Sequence, residues 1–369
     1  MMKCQTLRRG FSRRQVLGVA ASAAAAAMTP KALRAQDGPR FDGKSLRVLT
    51  WADATGQAAV RHILRPFEAA AGARIIPDLT GATSEMVAKI KASAARPQYD
   101  LVILSGFGAH ELASAGLLVK PDVARIPNLE QVLPDYRTGA DGFGVGYFLW
   151  SDGLAFNTRK FETPPTSYEA LWDDRSTGRI FVPPPNTLMA MELVIAAARL
   201  AGGDQFSPDA GFELLARLKD RVLTISSNAG QIAELFRADS LDVGAVYSPL
   251  EIASFIKQPE YNVSGTYDLA EGFFVDLQFM VTPKDHPGDS DAVHGLLNFA
   301  LSPDVQAAMA EEVWYGPINR DAKLSDAALA SPYIASPEVI AAKAIKVDTD
   351  HLAGVRADWT KRYTDILAG

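Results

Sequence analysis

Between residues 46 and 115 short apolar runs alternate with helical patterns, and this alternation constrains the fold more than any other stretch. Leu46, Val48 and Leu49 make a β-prone run that ends in a loop carrying Trp51, Asp53, Thr55 and Gly56. Residues 57–71 place Val60, Ile63, Leu64 and Phe67 on one helical face, with Pro66 as a point of distortion and Gly72 as the stop. Arg74 to Pro77 reads as a second strand. Thr83-Ser84-Glu85 opens a second helix, with Met86, Val87 and Ile90 on its apolar side. Leu101 to Leu104 has the unbroken apolar pattern of a buried strand, and a short helix follows over residues 109–115. The order β-α-β-α-β-α predicts an α/β lobe on a largely parallel sheet. In such sheets ligands are met just past the carboxyl ends of the strands, which makes Trp51 and Asp53 candidate site residues.

The later chain predicts a second α/β lobe. Residues 142–150 and 154–157 are extended segments separated by the polar break Ser151-Asp152-Gly153, an arrangement suited to a crossing between lobes, with Trp150 packed at the hinge. A helix holding Tyr168, Leu171 and Trp172, a strand over 178–182 and a stiff loop from Pro183 to Thr187 come next. An Ala-rich helix spans Leu188 to Leu200, and two further helices (209–219, 231–238) alternate with strands at 222–225 and 242–247. Phe273 to Thr282 is long and β-rich, a natural return crossing. Two helices over 290–301 and 304–311 precede the turn Trp314-Tyr315-Gly316-Pro317, which Tyr315 braces. The tail from Pro337 onward reads as helical, with Trp359 and Tyr363 as packing residues.

The first 35 residues stand apart. Arg8, Arg9, Arg13 and Arg14 precede an apolar run from Val16 to Met28, and Leu33-Arg34-Ala35 offers a cleavage site after Ala35, the layout of a secretory signal. Ser12-Arg13-Arg14-Gln15-Val16-Leu17 resembles the twin-arginine export motif. Removing this leader takes away seven basic residues and no acids, leaving 30 basic against 43 acidic residues. Such a surface makes nucleic acid an improbable partner. The single cysteine, Cys4, lies in the leader, so the mature chain is expected to carry no disulfide and no Cys-metal site. No later stretch reaches the roughly 18 apolar residues of a membrane span. The 369 residues, 48% of them apolar, suffice for more than one domain.

Catalytic signals are weak. Gly38-Pro39-Arg40-Phe41-Asp42-Gly43-Lys44-Ser45 satisfies the phosphate-loop pattern, but that chemistry needs a helix after the loop, and here a strand follows. The five histidines show no ligand spacing, Asp173-Asp174 reads as a solvated pair at a helix end, and no metalloprotease or nucleophile-elbow motif is present. The expectation is a non-enzyme with no cofactor and no metal.

Four strings carry a resemblance. They are Leu46 to Trp51 behind a signal peptide, Tyr99 to Ser105, Ser167 with Tyr168 to Trp172, and Leu296 to Phe299 through Ser302-Pro303-Asp304-Val305-Gln306 to Tyr315-Gly316-Pro317-Ile318-Asn319. In order and spacing the chain resembles the periplasmic substrate-binding proteins of ABC importers, most nearly the spermidine/putrescine-binding branch. The resemblance implies a two-lobed α/β fold of type II that closes on a small solute by hinge motion, works as a monomer in the periplasm and delivers to an ABC permease in the inner membrane. Expected boundaries are a signal peptide at 1–35, a linker at 36–44, a first lobe of 45–150 with about 275–320, and a second of about 151–274 with about 321–369. Carried over by position, the ligand residues would be Trp51, Ser105, Phe107 and Tyr247, with the acidic residue of the return crossing at Asp276 or Gln278. Polyamine binders also place carboxylates in the loop that here reads Pro185-Asn186-Thr187-Leu188, and neither Asn186 nor Thr187 can neutralise an ammonium. Asp53, Asp152, Glu251 and Asp276 remain as sources of negative charge. The hydroxyl and amide groups of Thr83, Ser84, Ser105, Asn186 and Thr187, several at helix starts, suit a carboxylate or phosphonate instead. A polyamine-like amine is the favoured ligand, an anionic solute the alternative, and an exported enzyme or a sensor's receptor on the same fold the further possibilities.

Overall fold

The computed structural model describes residues 39–173 and 179–367. The stretch expected to be an export leader with its cleavage site, the start of the phosphate-loop pattern at Gly38, Asp174 and Gly178 lie outside the described residues.

Strands β1 (Ser45–Trp51), β2 (Arg74–Thr80) and β3 (Leu101–Leu104) form a parallel block in the order β2-β1-β3. Short strands β4 (Leu118–Val119) and β5 (Thr138–Gly139) lead to the long β6 (Gly144–Asn157). Then come β7 (Ile180–Val182), β8 (Val222–Ile225), β9 (Val243–Tyr247) and β10 (Val263–Thr266). The last two are β11 (Phe273–Pro283) and β12 (Ala344–Lys346). A second parallel block, β9-β7-β8, is joined to the first through the antiparallel pair β11-β6. The result is the mixed, curled sheet of a two-lobed type II fold.

β6 differs from the sequence expectation in one respect. Ser151-Asp152-Gly153 does not interrupt it; the strand is continuous and changes partner there, from β11 (Asp152 opposite Phe274) to β9 and β10. The change of partner needs glycine: a Cβ on Gly153 would lie 2.1 Å from the Thr266 carbonyl oxygen.

The first helix shows how local chemistry shapes the walls. α1 (Ala54–Ala59) continues through a π-helical turn at Val60–Leu64 into α2 (Arg65–Ala71), and Gly72 closes it in the left-handed region at φ 76°. The widened turn lies just before Pro66, which has no N–H to give and whose ring crowds the carbonyl four residues back. α3 (Thr83–Ala92) and α4 (Gly106–Ser114) follow β2 and β3, and the Thr187 side chain caps α5 (Leu188–Leu200) by accepting from the Ala190 N–H. α5 is apolar nearly all round and buried, packed among Phe156, Tyr168, Phe212 and Trp359. The tail is helical over Pro337–Lys343 and Thr349–Leu367, and the intervening β12 pairs in parallel with β11. Trp359 and Tyr363 are buried against α5's cluster, and the Tyr363 hydroxyl donates to the Pro183 carbonyl at 2.8 Å. Among the described residues no helix is long and apolar enough to cross a membrane.

Candidate functional site

The register of the crossing pair creates the site. Along a strand every second residue shares a face, so Trp150 and Asp152 project together from β6. On β11, Asp276 sits opposite Trp150 and Gln278 opposite Phe148, on the same side of the pair. The carboxyl ends of β1 and β3 bring Trp51 and Ser105 to this face, the start of α3 brings Thr83, and the loop after β9 brings Glu251. Together with Asp53, Leu188, Met189 and Tyr315 these residues line a cavity of about 320 Å³.

Each wall is held by bonds that can be traced. Trp51 is buried at the end of β1, and its indole N–H donates to Thr83 Oγ1 at 3.3 Å. Asp53 caps α1, accepting from the Gly56 N–H at 3.0 Å. Gly56 must be glycine, since a Cβ there would sit 1.7 Å from the Trp51 carbonyl oxygen. Tyr315 donates to Thr55 Oγ1 at 3.2 Å and packs its ring against Trp150 at 6.0 Å between centroids. The Trp150 indole donates to Asp152 Oδ1 at 3.2 Å, and Gln278 Nε2 donates to Asp276 Oδ2 at 3.0 Å.

Four carboxylates line the cavity, and its described lining holds no Lys, Arg or His. Their ionisation reflects this excess of negative charge. Burial pushes Asp152 up to about 7, helped by Glu251 and Asp276 and opposed by the Trp150 N–H. Burial likewise raises Asp276 to about 6, against the hydrogen bond from Gln278 and the nearby His110. Glu251, exposed at the rim, is raised by the cleft walls around its carboxyl and then by Asp53 across from it. Behind Asp152 lies Glu192, on α5 and 1% exposed, whose carboxyl is driven far above the usual range by burial and then by Asp152 and Asp276.

A larger cavity of about 450 Å³ lies between Phe41, Phe67 and Phe299. Its polar groups already have partners: Arg125 pairs with Asp291, His294 accepts from the Asp122 N–H, and Asn298 bonds Asn128 twice. The cleft, with uncompensated carboxylates, is the better candidate.

Of the residues proposed from sequence, Trp51, Asp53, Thr83, Ser105, Asp276 and Gln278 line this cavity. The others do not. Ser84 faces solvent on the first turn of α3. Phe107 is 70% exposed, because α4 begins at Gly106 and turns the ring outward. The Asn186 side chain is exposed while its carbonyl accepts from Arg356, and Thr187 is spent on capping α5, so Leu188 and Met189 form that wall. Tyr247 is fully buried, edge-on to Phe181, with its hydroxyl on the Ser227 carbonyl. Trp150, read as hinge packing, instead lines the cleft. Glu192 escaped sequence reasoning altogether, although a lone carboxylate inside the apolar run Leu188 to Ala198 was a visible signal.

A family model described as bacterial extracellular solute-binding protein matches residues 62–339. The chain belongs to this family. Among its relatives, this solute-binding protein is 24% identical over 272 residues to the spermidine/putrescine-binding periplasmic protein 1 of Haemophilus influenzae, covering 71% of this chain and 72% of the relative. It is 22% identical over 319 residues to a gamma-aminobutyric acid-binding protein of Pseudomonas aeruginosa, covering 84% and 83%. The fold matches the crystal structure of an ABC transporter from Clostridium perfringens with a TM-score of 0.73 at 24% identity, over 87% of this chain and 99% of that one.

Proposed function

We propose that this solute-binding protein captures a small cationic amine in the cleft between its lobes and delivers it to an ABC permease in the membrane. The observation that carries the reading is the cavity itself, with Asp53, Asp152, Glu251 and Asp276 converging beside Trp51, Trp150 and Tyr315 and no basic side chain in the described lining. A desolvated ammonium needs carboxylates and aromatic faces, and a pure anion would meet four groups of its own sign. The family supports a solute-binding role, and the spermidine/putrescine-binding name of the Haemophilus influenzae relative supports an amine. Bound cation would neutralise repulsion between Asp53 and Glu251, which come from opposite sides of the cleft, and so favour the closed form.

One observation favours a second ligand type. α3 and α4 both begin at the cavity, at Thr83 and beside Ser105, without a side-chain cap. Free helix N–H groups suit a carboxylate, so an ω-amino acid with its ammonium on the acidic cluster is the competing reading. Thermal-shift and calorimetric titrations with aliphatic diamines, monoamines, ω-amino acids, dicarboxylates and phosphonates separate the readings. Ligand at a hundred times Kd should stabilise the protein by about 2.7 kcal/mol. Diamine binding without response to anions supports the first reading, preference for the ω-amino acid the second, and binding of dicarboxylate or phosphonate alone overturns both.

A further inference from the structure

Glu192 is the one carboxyl in the acidic cluster that the cleft does not expose. It sits in the second turn of α5 among Met191, Leu193, Val194 and Ile195, all essentially inaccessible, and its Oε2 has no hydrogen-bond partner. Its carboxyl lies within hydrogen-bonding reach of Asp152, the cavity-lining residue of the crossing strand. The groups acting on this pair are the Trp150 indole N–H from β6, Asp276 from β11 and Glu251 from the loop after β9. Tyr168 and Tyr267 also face it, and the hydroxyls of Tyr168 and Ser151 are buried without partners. These groups are acidic or neutral. An ionised Glu192 would therefore be a buried charge with a bare oxygen and no counter-ion, the costliest state available to it.

We propose that Glu192 works as a neutral carboxylic acid that donates its proton to Asp152, and that this bond positions the Asp152 carboxylate toward the cationic ligand. Glu192 is then a positioning residue, acting through Asp152 without touching solute. The arrangement resolves an apparent conflict in the site. Two adjacent buried carboxyls cannot both ionise, so one keeps its proton and becomes a donor, while the other, facing the cavity and already receiving the Trp150 N–H, carries the charge. An O–H···O⁻ bond stabilises the ionised form of its acceptor, so Glu192 holds Asp152 closer to its working state than burial alone would allow. Burial pushes both carboxyls up, and against that background the mutual hydrogen bond lowers Asp152 and raises Glu192. When the ligand's ammonium docks, any proton still on Asp152 leaves for solvent, and Glu192 keeps its own.

The proposal rests on the amine reading of the cleft for its binding arm only. In that arm Glu192→Gln, whose amide can still donate, should bind putrescine within about threefold of wild type with an unchanged pH profile. Glu192→Leu should lose about tenfold or more at neutral pH, with the pH midpoint of affinity displaced to higher pH. The second arm needs no ligand: infrared difference spectra of the unliganded protein near neutral pH should show a protonated carboxylic acid band that Glu192→Gln removes. A Gln variant as impaired as the Leu variant, or a wild-type spectrum without that band, overturns the proposal. Absence of putrescine binding to wild type counts against the amine reading, and the infrared arm, read on folded wild type and folded Glu192→Gln, then decides the role of Glu192 by itself.

Discussion

At the floor of the cleft Asp152 is buried beneath the Trp150 indole and Asp276 is held by Gln278, whereas at the rim Asp53 and Glu251 keep exposed side chains. The same functional group thus meets two dielectric environments around one cavity. At the floor, charge is costly in the empty protein and each carboxyl is driven toward its neutral form until a cation arrives. At the rim, water and salt screen the charges, so they contribute more to attracting a ligand than to holding it. Floor residues should therefore govern dissociation and pH dependence, and rim residues association and salt dependence.

The largest effect is expected at the floor. Asp152→Asn should weaken amine binding by about 3 kcal/mol, roughly a hundredfold in Kd by calorimetry, and Asp276→Asn by a similar amount, with faster dissociation seen by stopped-flow. Equal losses from Glu251→Gln would break the distinction between floor and rim. Next comes pH. Asp152 near 7 and Asp276 near 6 lie above their unfolded values close to 4, so the stability they contribute is fully present below about pH 4 and is lost as pH rises through 6 and 7. Denaturation of the empty protein should show this decline beneath the other titrations, and amine affinity should climb over the same interval because binding needs the ionised carboxyls. An affinity flat between pH 5 and 8, a window of about three units, would remove the floor's claim to control.

Smaller effects sharpen the picture. Trp51→Ala should cost about 1–2 kcal/mol of binding from the lost aromatic face, with a separate loss of stability because the indole is buried. If stability falls while affinity stays intact, Trp51 belongs to the core alone. Glu251→Gln should reduce affinity by only about 0.5–1 kcal/mol, chiefly by slowing association at low salt, which stopped-flow measurement resolves. Tyr247→Phe should leave affinity within about 0.5 kcal/mol of wild type, since its hydroxyl serves the Ser227 carbonyl.

Much of the frame was readable from local pattern. Strand ends are visible as the point where an apolar run turns polar, which is how Trp51 and Asp53 became candidates; Thr83 was offered by its helix start, and Ser105, Asp276 and Gln278 came from the resemblance to solute-binding proteins. Orientation was not readable. Phe107 lies two residues from Ser105 yet points outward, because the helix starts between them; Asn186 and Thr187 stop one residue short of the cavity, because capping α5 consumes the threonine. Tyr247 follows the alternation of β9 into the core.

What the chain determined by itself is its periodicity: two parallel α/β blocks, the long crossing segments, the glycine at 56 and the carboxylates as isolated residues at 53, 152, 192, 251 and 276. Only the tertiary structure decided that these five meet. The antiparallel register of β6 on β11 sets Asp276 opposite Trp150, and the packing of α5 buries Glu192 behind Asp152. Helix and strand preferences act over a few residues. The ionisation of Asp152 depends on burial and on charges from distant positions such as Glu251 and Asp276, and those surroundings exist only once the chain has folded.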